Sequence, residues 1–130
     1  MSYYFYMIKQ KLLIGDDQFE SGSFIRTLFE IKYGEVLCKY DVTITADPVQ
    51  YVALAQSGEY SALMIDLRWG EDLPTHGYDI LTQVREYAPV RVLWTSEQAE
   101  ARERGYQFGA TACIEKNPIP SELERVLQQE

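Results

Sequence analysis

Lys11-Leu12-Leu13-Ile14-Gly15-Asp16-Asp17 is a short apolar run that breaks into two acids. Ala62-Leu63-Met64-Ile65-Asp66 repeats the pattern and ends in one acid. Short apolar runs bounded in this way read as fully buried strands. Strands buried on both faces belong to parallel sheets covered by helices. In such a sheet the strand C-termini share one edge, where open α/β sheets bind ligands. Asp16, Asp17 and Asp66 are therefore expected on one rim.

Working outward from these runs, the chain alternates strand and helix five times. A helix is expected over about 21–33, with Phe24, Leu28 and Ile31 spaced to share one face and Gly34 as its stop. A strand over about 41–46 alternates Val42 and Ile44 with threonines. Asp47-Pro48 reads as an N-cap followed by proline at the first helical position, opening a helix that runs to about Ser57. After the 62–66 strand, a long loop, 67–77, leads into a helix carrying Ile80, Leu81 and Val84. A strand over 91–95, a mostly polar helix over about 98–108 and a strand over 111–115 follow. The last helix is expected from Ser121, with Glu124 completing a capping box and Leu123, Val126 and Leu127 facing inward. Strands separated by helices of this length pair in parallel through right-handed crossovers. The fold class is thus α/β, one doubly wound five-stranded parallel sheet with helices on both faces. Periodicity leaves the strand order open.

The chain has 130 residues, which suits one core. Its net charge of -8 argues against direct binding to nucleic acid or an anionic membrane, both of which need basic surface. Two cysteines do not make a disulfide framework, so reduced thiols in a cytoplasmic protein are the simplest reading. No apolar stretch is long enough to cross a bilayer. Residues 1–8, Met-Ser-Tyr-Tyr-Phe-Tyr-Met-Ile, lack the features of a secretory leader. They read as an aromatic extension that packs on the domain at 9–130, or as a self-association surface that would give a homodimer.

Three adjacent carboxylates repel one another unless a cation joins them. Oxygen ligands favour a hard divalent ion, and Mg²⁺ is the usual one beside phosphate.

Asp16-Asp17, Asp66, Thr95 and Lys116 end the first, third, fourth and fifth expected strands, and Gly109-Ala110 precedes the fifth. In this order the set resembles the receiver domain of two-component response regulators, of the chemotaxis-regulator type, over nearly the whole chain. The resemblance implies the flavodoxin-like strand order 2-1-3-4-5. It implies that Asp66 is the phosphoacceptor, that Asp17 binds Mg²⁺ directly, and that Asp16 acts on it through water. The backbone carbonyl of Arg68 would complete the metal shell. Thr95 would be the switch hydroxyl, and Lys116 the phosphate-contacting lysine. A histidine kinase or phosphotransfer protein would supply the phosphoryl group, and a downstream protein or output domain would read it. The readout surface is expected over 98–108, 111–115 and 121–129. Such a domain signals through self-catalysed transfer and is not an enzyme in the ordinary sense.

The chain departs from that pattern in three places. The loop after Asp66 is a few residues longer, placing Trp69, Glu71, Asp72 and His76 near the acceptor. Asn117 separates Lys116 from Pro118, where proline commonly follows directly. Cys113 stands where an aromatic switch residue is common, leaving Tyr106 or Trp94 to substitute. These departures motivate the alternative of a phosphorylation-independent pseudo-receiver, a protein interaction module. A metal-dependent hydrolase of the Asp-x-Asp type would need an acid where Arg68 stands. His76, the lone histidine, reads as a solvated loop residue, and Trp69 and Trp94 as packing residues.

Overall fold

The computed structural model describes residues 9–69 and 76–128. The 1–8 extension, with Glu71 and Asp72 of the long loop, lies outside the described residues. Five strands form one parallel sheet: β1 (Gln10–Gly15), β2 (Tyr40–Thr45), β3 (Ala62–Asp66), β4 (Val90–Thr95) and β5 (Ala112–Glu115). Their order is β2-β1-β3-β4-β5. The helices are α1 (Phe24–Lys32), α2 (Gly34–Leu37), α3 (Pro48–Ala55), α4 (His76–Val84), α5 (Ala99–Arg104) and α6 (Pro120–Leu127), with a 3-10 turn at Gly105–Phe108.

Alternate strand residues build two cores, because successive side chains point to opposite faces. Leu12, Ile14, Met64, Val92, Trp94 and Ile114 pack with Phe29, Tyr33 and Val36 and with Leu123, Val126 and Leu127. Leu13, Leu63, Ile65 and Leu93 pack with Tyr51, Trp69, Ile80, Leu81 and Val84. Each fully buried Leu or Ile contributes about 1.5–3 kcal/mol. Both faces of the central strands are therefore apolar, and polarity appears only where the strands stop.

Local chemistry sets most of the boundaries. Asp47 caps α3, its carboxylate accepting from Val49 N at 3.0 Å, with Pro48 in the first turn. Ser23 caps α1 by accepting from Arg26 N at 3.1 Å. Gly77 lets α4 approach the end of β3, since a Cβ there would lie 2.5 Å from both Asp66 O and Leu67 Cα.

Four local expectations need correction. Phe24, Leu28 and Ile31 do not face the core; they are 75%, 49% and 74% exposed. Phe29 and Tyr33 take the inward positions, in a ring cluster with Phe19 and Trp94 at centroid separations of 4.6–5.9 Å. The paired rings of Phe29 and Tyr33 bury a large apolar area against Phe19 and Trp94. Gly34 does not end helical structure but opens α2. Residues 98–108 divide into α5 and the 3-10 turn. The last helix starts at Pro120 after an Ile119 cap that makes no side-chain bond, and Glu124 pairs with Lys39 instead of completing a capping box.

Candidate functional site

The register of the sheet brings the acids together. Gly15 pairs with Ile65, so Asp16 and Asp66, each one residue further on, meet at the same rim. One carboxylate oxygen from each of Asp16, Asp17 and Asp66 lies within 4.8 Å of the others. Asp16 and Asp66 are 1% and 3% exposed, and Asp17 is half-buried. Asp16 also braces its own loop, accepting from Gln18 N at 2.9 Å.

Lys116 reaches this cluster from the end of β5. Its ammonium is 2.9 Å from Asp16 Oδ2 and 3.5 Å from Asp66 Oδ1. With all groups ionised, three carboxylates and one ammonium leave two negative charges, which match one divalent cation. An all-oxygen donor set suits a hard ion, so the residues present fit Mg²⁺ or Ca²⁺.

Burial, and then the neighbouring Asp16 charge, push the Asp66 carboxyl up from 3.8 to about 8, while Lys116 opposes the shift. Removing a carboxylate from water disfavours its charged form, and a like charge adds to that effect.

Thr95 ends β4 beside Asp66, since Asp66 pairs with Trp94. It is buried, and its Oγ1 accepts from Glu97 N at 3.1 Å, leaving the hydroxyl proton free to donate. Arg68 N donates to Asp66 Oδ1 at 3.3 Å. A polar pocket of about 450 Å³ is lined by Asp17, Gln18, Asp66, Arg68, Thr95, Ser96 and Lys116. All six residues singled out in the sequence thus converge on one rim.

Around the rim one expectation holds and others give way. Trp69 is a packing residue beneath the rim, its Nε1 donating to Ala46 O at 2.8 Å and its ring edge-on to Tyr51. His76 is no solvated loop residue; it opens α4, and its Nδ1 lies 2.9 Å from Trp69 O. Asn117 takes up the extra residue before Pro118 in a left-handed conformation, φ 63°, which Asn tolerates better than most side chains. Cys113 is half-buried, and its N–H donates to the Tyr106 hydroxyl at 3.2 Å.

Sequence reasoning missed the aromatic cavity beside the rim. About 590 Å³ lies between α1 and the loop after β5, lined by Phe19, Phe29, Tyr33 and Trp94 together with Asp16 and Lys116. Trp94 Nε1 is buried there without a hydrogen-bond partner among the described residues. The signal was the ring spacing of Phe29 and Tyr33, four residues apart.

No protein-family profile and no curated protein matches this sequence. Solved structures do. The chain is similar to a chemotaxis protein of Vibrio cholerae, at 25% identity over 92% of this chain and 100% of that one, with a TM-score of 0.69. It is similar to the receiver domain of a Pseudomonas aeruginosa sensor histidine kinase, which has a magnesium ion coordinated in its active-site cleft. There the identity is 24% over 93% of this chain and 96% of that one, with a TM-score of 0.71. A Burkholderia pseudomallei response regulator with a phosphorylated aspartic acid and a calcium ion gives 16% identity, 92% and 67% coverage, and a TM-score of 0.72. The fold of this chain is that of response-regulator receiver domains.

Proposed function

We propose that this protein is a phosphoacceptor signalling domain that takes a phosphoryl group onto Asp66 with Mg²⁺ bound beside it. The observation that carries this reading is the meeting of Asp16, Asp17, Asp66 and Lys116 at one rim, with the Thr95 hydroxyl adjoining. Asp16, Asp17 and Asp66 would hold the cation with the Arg68 backbone carbonyl. When bound, it would neutralise phosphoryl oxygens and lower the repulsion among the acids.

The residues of the chain then divide the work. A carboxylate oxygen of Asp66 attacks phosphorus as the bond to the donor's leaving group breaks, giving an acyl phosphate. In-line transfer needs positioning and charge stabilisation more than covalent help. Lys116 shifts from Asp16 toward a phosphoryl oxygen, acting as a mobile point charge. Thr95 donates its hydroxyl to another oxygen. The added charge of about −1.5 to −2 draws both residues inward and so biases β4, β5 and the elements after them. The donor on this reading is a histidine kinase or phosphotransfer protein in the cytoplasm. The partner that reads the change binds across α5, β5 and α6.

The test is to add an acyl-phosphate donor with Mg²⁺ and weigh the intact protein. The gain of one phosphoryl group is expected in the wild type and none in Asp66→Asn. No gain, or a gain that survives the substitution, rejects the reading. One observation favours a second reading, a binding module that works without phosphorylation. Asp66 is buried and its carboxyl pushed up to about 8, so at neutral pH without metal it is a poor nucleophile. Failure of millimolar Mg²⁺ to perturb Trp94 fluorescence would support that module.

A further inference from the structure

The proposed transfer leaves the aromatic cavity beside the rim unused. It holds about 590 Å³ between α1 and the loops after β1 and β5. That volume suits a small molecule, since such sites measure about 300–1,000 Å³ and are mostly apolar with a few placed polar groups. Phe19, Phe29, Tyr33 and Trp94 line it, and Ile25 and Leu28 of α1 form an exposed lip. The four rings meet one another at 37° to 89°. They therefore offer both faces and edges to a planar aromatic guest.

Trp94 supplies a second, independent observation. It is 3% exposed, and its Nε1 N–H has no acceptor among the described residues. The other indole, that of Trp69, donates to Ala46 O at 2.8 Å. Buried donors are nearly always paired, and one left unpaired costs stability. A guest that brings an oxygen acceptor to this N–H removes that cost. The charged groups on the lining are already engaged. Lys116 pairs with Asp16, Asp16 also accepts from Gln18 N, and Lys32 donates to Asn117 O. The Tyr33 hydroxyl donates to Pro118 O. The lining thus favours an uncharged guest.

The geometry points to a binding site for an uncharged aromatic molecule that carries an acceptor oxygen. Its ring packs among Phe19, Phe29 and Tyr33, and its oxygen accepts from Trp94 Nε1. Occupancy does not require phosphorylation, so the site stands or falls apart from the role of Asp66.

Acetophenone, an uncharged ring with a single carbonyl, is a suitable probe. Titrated to millimolar levels into the ¹⁵N-enriched full chain without Mg²⁺, it should move the Trp94 indole ¹⁵N signal downfield as the N–H gains an acceptor. The Trp69 indole signal should stay. A Trp94 signal that stays, or that moves no more than that of Trp69, would overturn the inference. Benzoate moving it at the same or lower concentration would overturn it too, because the site would then take an anion. α-Methylstyrene keeps the shape of acetophenone and replaces the oxygen with carbon. Trp94→Phe keeps a buried ring and removes the N–H. The variant should lose several-fold in affinity for acetophenone but not for α-methylstyrene, read from the Phe29 and Tyr33 amide signals. Equal changes for the two would mean that the cavity takes apolar rings without using the indole, and the assignment fails. Should the substitution loosen the core, the titration of the wild type still decides.

Discussion

The Arg68 guanidinium and the Glu97 carboxylate pair at 2.9 Å, joining the loop after β3 to the loop after β4. The backbone N–H of each residue also holds a site side chain two positions earlier, Arg68 on Asp66 and Glu97 on Thr95. Asp66 and Thr95 are therefore linked through one ion pair near the surface. Such pairs stabilise by about 0–1 kcal/mol, so Glu97→Gln should leave the unfolding midpoint nearly unchanged. It also removes a negative charge from the rim and frees Arg68. Phosphorylation by a small anionic donor, followed by intact mass against time, should become several-fold faster, and the gain should shrink as salt is raised.

Asp66 gives the protein a pH dependence whose sign can be worked out. Its carboxyl titrates near 3.8 when unfolded and near 8 when folded without metal. A raised folded value favours the protonated native state, so the stabilisation is full below about pH 4 and is lost as pH rises through about 8. Thermal unfolding in chelator should show stability falling across that window. Asp66→Asn should flatten the slope, and Mg²⁺ should restore stability at the alkaline end.

Lys116→Ala should destabilise the metal-free protein. It leaves Asp16 and Asp66 buried without their cation, at a cost of about 1–3 kcal/mol. Millimolar Mg²⁺ should recover most of that loss, because a divalent ion neutralises the same oxygens. Urea unfolding of wild type and variant, each with and without Mg²⁺, measures both effects. A deficit unchanged by Mg²⁺ would mean that the acids do not hold the ion.

Gly77→Ala should be costly without touching a charged group. The new Cβ would press on Asp66 O and Leu67 Cα, both backbone atoms. Overpacking of this kind costs about 1–3 kcal/mol. Because the displaced carbonyl belongs to Asp66, the proposed acceptor, phosphorylation should slow along with the loss of stability.

The sheet was legible because buried parallel strands are continuous apolar runs, and Leu12–Ile14 and Ala62–Ile65 are such runs. The acids were legible because parallel strand ends share an edge, so Asp16 and Asp66 needed only correct strand boundaries. Thr95 and Lys116 needed the resemblance, since a strand-ending threonine or lysine is by itself a cap or a solvated side chain. Strand order required the resemblance, since periodicity carries no information about neighbours. The first helix misled. Phe24, Leu28 and Ile31 have the spacing of a core stripe, but spacing alone does not tell which stripe wins when Phe29 and Tyr33 offer a second. Glu124 misled in the same way, because a capping glutamate and a glutamate paired with a distant lysine look alike in sequence.

The end of α1 takes hold of the segment that follows Lys116. Lys32 Nζ donates to Asn117 O at 3.3 Å, and the Tyr33 hydroxyl donates to Pro118 O at 2.7 Å. The helix and the root of the lysine side chain are thereby yoked like a tiller to its rudder. Torque on the outward apolar ridge of Phe24, Leu28 and Ile31 would steer the ammonium without anything entering the acidic pocket.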